Sequence, residues 1–155
     1  MKFRFLTIFA AFAIAVSMFA GAASAANDID DRYHKQKVVY HINYPGGEGD
    51  KAYLGAMRNI QNHINAVGKE NLDLKIVIHG NGINLLKSAK AAGKVQTAAA
   101  NLKSQNISFS VCANTLKSKK IGIDELYEVF EEDIVPSGVA ELAHLQAHGY
   151  VYIKP

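Results

Sequence analysis

A single cysteine, Cys112, stands in a chain of 155 residues, which excludes an intrachain disulfide as a source of stability. The chain also lacks any block of clustered Lys or Arg. Its 17 basic and 14 acidic residues give a formal net charge of +3, but Lys2 and Arg4 belong to a leader, and without them 15 basic residues face 14 acidic ones. A near-neutral domain with dispersed charge lacks the phosphate-neutralising patch on which nucleic-acid binding depends, so no nucleic-acid partner is expected. There is no internal repeat and no low-complexity tract. The glycine-rich stretch Pro45-Gly46-Gly47-Glu48-Gly49 lacks the Lys-Ser/Thr ending of a phosphate loop and reads as a flexible turn.

What is present begins with the leader. Met1-Lys2-Phe3-Arg4 precedes an uncharged apolar run from Phe5 to Ala20 and then Ala23-Ser24-Ala25, the pattern of a secretory signal peptide with a small-residue cleavage site. The run is short for a membrane span. Residues 1–25 are therefore expected to be removed, leaving a periplasmic or secreted protein that begins at Ala26 and has no stable membrane anchor. Of the 155 residues 130 remain, enough for one domain with a real core. Residues 26–36 form a polar lead-in, and the domain spans 37–155. In an oxidising compartment, an exported protein's only thiol is shielded, paired between chains, or used.

From Val38 to Asn43 a β-branched and aromatic run reads as a strand closed by Tyr44-Pro45-Gly46-Gly47. Tyr53, Ala56, Met57, Ile60, Ile64 and Val67 recur at helical spacing, with Gly68 as the stop. Leu72 to Ile78 reads as a second strand, and two shorter helical pieces separated by Gly93 come next. The third strand runs from Ile107 to Cys112, and Ala113-Asn114-Thr115 opens a helical turn after it. Asp124 is expected to cap a helix burying Ile123, Leu126, Tyr127 and Phe130. A short fourth strand at Ile134-Val135 precedes a helix capped by Ser137, with Val139, Leu142 and Ala143 facing inward, and Tyr150 to Ile153 forms the last strand. This alternation predicts a three-layer α/β/α sandwich around a mainly parallel sheet of about five strands.

Parallel sheets bind ligands at the carboxyl ends of their strands, and the chemistry-bearing residues gather there. Cys112 ends the third strand, where a following helix N-terminus favours the thiolate. A reacting thiol at this place is expected to be partly exposed. His79, at the end of the second strand, is the residue placed to assist it, as an imidazole beside a thiol relays its proton. Asn43, Gly80, Asn81 and Asn114 are the candidate ligand-binding residues around them. No metal centre is expected. His144 and His148 share a helical face but have no acidic partner, and His41 and His63 read as structural. A metal bound by Cys112 and His79 together is the weakest reading.

These residues resemble the DsrE/DsrF-like sulfur-relay proteins. The resemblance runs from about Lys37 to Pro155 and is carried by Val38-Val39-Tyr40-His41-Ile42, Val77-Ile78-His79-Gly80-Asn81-Gly82, Val111-Cys112-Ala113-Asn114-Thr115-Leu116 and Pro136-Ser137-Gly138-Val139-Ala140-Glu141-Leu142. It implies that Cys112 carries sulfane sulfur as a persulfide, without a metal or organic cofactor, in a sulfur carrier or sulfurtransferase-like protein. It also implies a homo-oligomer, a trimer or hexamer, with sulfur donor and acceptor proteins as further partners; the apolar Leu116, Ile121 and Ile123, more than a solvated loop needs, are compatible with such assembly. Relatives work in the cytoplasm, so their particular partners do not transfer to a chain with an export signal. The alternative is a non-catalytic module of the same fold that binds a small ligand or serves assembly.

Overall fold

The computed structural model describes residues 33–155; the signal peptide expected at 1–25 and most of the polar lead-in lie outside the described residues. Five strands, β1 (Gln36–Ile42), β2 (Leu72–Ile78), β3 (Ser108–Cys112), β4 (Ile134–Val135) and β5 (Val151–Ile153), form one sheet in the order β4-β3-β2-β1-β5. Every pairing is parallel. The helices are α1 (Lys51–Val67), α2 (Asn84–Lys90), α3 (Lys94–Lys103), α4 (Ala113–Lys119) and α5 (Gly138–Ala147).

Alternation along the strands divides the apolar residues between two faces. Val38, Tyr40, Ile42, Leu74, Ile76, Ile78, Phe109 and Val111 share one large core with Tyr53, Met57 and Ile60 of α1, Leu85 and Leu86 of α2, and Ala99 and Leu102 of α3. On the other face Val39 and Val77 form a smaller cluster with Leu142 and Leu145 of α5 and Tyr150. Each fully buried Ile, Leu or Phe contributes about 1.5–3 kcal/mol, so the first face carries most of the stability.

The expected elements recur with three corrections. Asp124 caps no α-helix: Ile123–Glu125 is a single 3-10 turn in which the Glu125 carboxylate accepts the Gly122 N–H, and Phe130 is 57% exposed. Four acidic residues come between Leu126 and the next strand, leaving too little apolar surface for a second inward turn. In α5 the inward residues are Leu142 and Leu145, whereas Val139 and Ala143 face solvent; the buried stripe lies one step out of phase with the expected one. Leu116, Ile121 and Ile123 pack against the chain's own core instead of standing free for a partner.

Candidate functional site

The register fixes which side chains share a face. Val77 pairs with Ser110 and His41 with Val77, so on continuing two residues His79 comes beside Cys112, both on the α5 face with His41. Gly138, the first residue of α5, closes this corner. A Cβ placed on it would lie 3.0 Å from Cβ of His79 and 3.3 Å from Cβ of Cys112, so any larger residue would press the two apart. The carboxyl-edge loops are held together by Tyr53 of α1, whose hydroxyl donates to the carbonyls of Tyr44 (3.1 Å) and Asn81 (2.7 Å). That burial pushes Tyr53 up to about 12, keeping it a donor.

Cys112 is buried, only 5% exposed, where the sequence predicted partial exposure. Burial pushes the thiol up, but hydrogen bonds to sulfur from the Thr115 hydroxyl and from the backbone N–H groups of Gly138, Thr115 and Asn114 outweigh it, and the net shift is below the ordinary thiol value. Thr115 is buried, and its oxygen accepts the Gly80 N–H at 2.9 Å, which leaves its own proton for the sulfur. Gly80 takes φ 56°, the left-handed conformation that glycine adopts freely. The groups that lower the thiol sit in the first turn of α4 and at the start of α5.

Of the sequence-predicted residues, Cys112, His79 and Gly80 come together, Gly80 acting through Thr115. Asn114 contributes its backbone N–H; its side chain is exposed. Asn81 is a rim residue: its carbonyl holds Tyr53 and its Oδ1 accepts from Lys119 Nζ at 3.1 Å. Asn43 lies at the end of β1 with its backbone against Gly80 and Gly82. No hydrogen bond joins the His79 ring to Cys112. Instead His79 Nε2 lies 2.6 Å from His41 Nε2, the rings stacking 4.6 Å apart, and His41 Nδ1 lies 2.7 Å from the Tyr152 hydroxyl. Reading His41 as merely structural misses this line of groups, although strict alternation in Val39-Tyr40-His41-Ile42 already places it opposite Tyr40 and Ile42. Thr115 and Gly138 are missed too; the signal for Thr115 is its place three residues after the cysteine, on the same side of the helical turn. His144 and His148 are exposed, His148 Nδ1 donating to the His144 carbonyl at 2.7 Å. No group of three metal-ligating side chains occurs among the described residues.

Fold and site together define an open parallel α/β protein with a strand-end thiol stabilised as its anion. The chain belongs to the DsrE/DsrF-like family, whose sequence pattern matches residues 10–155. Among solved structures it is similar to the protein of unknown function MTH1491 from Methanobacterium thermoautotrophicum, at 26% identity and a TM-score of 0.63 over 77% of this chain and 99% of that one. It shares the fold of the ychN protein from E. coli, at 17% identity and a TM-score of 0.61 over the same shares of the two chains. No curated protein matches the chain.

Proposed function

We propose that the protein is an exported sulfur carrier in which Cys112 holds sulfane sulfur as a persulfide. The observation that carries this reading is the place of Cys112, at the end of β3, at the start of α4 and beside His79 under Gly138, where the donor groups around it hold the thiol below its ordinary value and favour the anion that sulfur transfer requires. The thiolate attacks the outer sulfur of a donor persulfide, RS–SH. The new S–S bond forms as the donor's own S–S bond breaks, giving Cys112–S–SH and a leaving RS⁻ that takes up a proton. An acceptor thiolate then attacks the outer sulfur of Cys112–S–SH and regenerates the Cys112 thiolate. The leader sequence supports export, and family membership supports assembly as a homo-oligomer.

Incubation of the native protein with polysulfide, followed by intact-mass measurement without reductant, tests the proposal. Wild type should gain sulfur and Cys112→Ser should not. The low exposure of Cys112 favours one competitor, a closed small-ligand module of the same fold. If folded wild type gains no sulfur and is alkylated only on unfolding, that competitor replaces the carrier.

A further inference from the structure

Two buried or half-buried imidazoles and a phenol form an unbroken hydrogen-bonded line from beside Cys112 to the protein surface. His41 is 7% exposed, whereas Tyr152, at the far end on β5, is 39% exposed and open to water. At the near end, His79 Nδ1 makes no hydrogen bond and is not sealed from solvent among the described residues. The carrier chemistry leaves this line unused, yet both half-reactions move a proton. The donor's RS⁻ needs one when it leaves, and the acceptor thiol must lose one before it attacks.

The geometry points to His41 and Tyr152 as positioning residues that relay protons between solvent and His79, so that His79 Nδ1 serves alternately as the acid for the departing thiolate and the base for the arriving thiol. The inference rests on Cys112 being the reacting thiol. In one state the Tyr152 O–H donates to His41 Nδ1, His41 Nε2–H donates to His79 Nε2, and His79 Nδ1 carries a proton. When RS⁻ takes that proton, the Nε2 proton passes from His41 to His79, the Tyr152 proton passes to His41, and Tyr152 recovers one from water. Every group in the line both donates and accepts, so its polarity reverses without leaving any of them charged. An arriving thiol gives its proton to His79 Nδ1 and resets the line. The surroundings favour this neutral traffic. Burial first, then the charges of His79 and Lys154, push His41 down to about 4, and burial and Lys154 lower His79 as well. Neither imidazole therefore stores the proton at neutral pH.

The test compares two small disulfides reacting with Cys112 in the folded full chain. A nitrophenyl disulfide releases a thiolate that needs no proton, whereas hydroxyethyl disulfide releases a basic alkyl thiolate that does. Tyr152→Phe and His41→Gln should each slow the alkyl disulfide roughly tenfold or more, within what acid–base assistance supplies. They should leave the nitrophenyl disulfide unchanged and abolish the solvent isotope effect that wild type shows with the alkyl disulfide alone. His41→Gln preserves hydrogen bonding to both neighbours but cannot relay, so wild-type behaviour in that variant overturns the proposal. Equal slowing of both disulfides, which is loss of access or of thiolate, also overturns it. Because each variant is judged on its own rate ratio, either one that folds decides for or against the relay. Neither disulfide carries sulfane sulfur, so the relay and the persulfide carrier can fail separately.

Discussion

The two faces of the sheet divide the work of the molecule between them. On one face α1, α2 and α3 bury a large continuous core, and on the other the ten-residue α5 covers a handful of apolar side chains next to Cys112, His79 and His41. Neighbouring residues of β1 make the contrast concrete. Tyr40, on the packed face, donates to His63 Nδ1 at 2.9 Å, and His63 Nε2 donates to Gln36 Oε1 at 2.9 Å. An amide oxygen only accepts, so each proton in that line has one position, and the line clamps α1 to β1. His41, on the thin face, joins a line whose members can all exchange donor and acceptor roles. The same residue types make a clamp or a conduit according to what ends the line.

The largest expected effect would test the imbalance in packing. Phe109→Ala should cost about 3–5 kcal/mol, and Leu145→Ala, in the thinner layer, near the lower end of the about 2–5 kcal/mol range for such truncations. Denaturant unfolding of both variants measures the difference, and equal losses would erase the asymmetry. Next comes acid. His41 titrates at about 4 in the folded protein against 6.5 for the free group, so the unfolded chain binds the extra proton in that window. Stability from neutral His41 is complete above pH 6.5 and is lost as pH falls towards 4, by up to about 3 kcal/mol. His41→Gln should flatten that part of the pH–stability curve; an unchanged curve would mean that the burial of His41 contributes nothing.

Gly138→Ala sharpens the comparison at the corner where the two halves of the site meet. The backbone there is helical, so the cost is crowding of His79 and Cys112, about 1–3 kcal/mol, and thiol reactivity should change while packing under α1–α3 does not. Heteronuclear NMR would show shifts confined to the α5 face. Thr115→Val should cost no more than Gly138→Ala. It removes two hydrogen bonds, the one accepted from the Gly80 N–H and the one given to the sulfur, at about 0.5–1.5 kcal/mol each, and the pH at which Cys112 becomes half-reactive towards iodoacetamide should move up, because one of the groups holding the thiol low is gone. A downward or absent shift would remove Thr115 from the site.

The packed face is nearly all legible in the sequence because its signal is periodic. The stripe from Tyr53 to Val67 and the strands at Val38, Leu74 and Phe109 follow from burial alone. The thin face is legible only in part. Cys112, His79 and Gly80 can be placed at strand ends, but the His41 and Tyr152 pairing joins residues 111 apart in sequence, and no local pattern reports it. The phase of α5 escapes the pattern because Val139 and Ala143 are apolar yet exposed in a helix that buries only Gly138, Leu142 and Leu145. The burial of Cys112 depends on α5 reaching across the sheet, which the residues around the cysteine do not announce.

The position of β5 has a consequence for how the molecule matures. β5 pairs with β1, Val39 lying against Tyr152, so the first strand waits for the last of the described elements before its outer edge is satisfied. Contacts of such sequence separation form late and slowly. β1, β2 and the helices over the packed face can assemble while β5 is still emerging, and the phenol that opens the line to water docks only afterwards. A chain that has not yet docked β5 would thus hold its thiol without its outlet, and the departure of basic thiolates would stay slow until Tyr152 is in place.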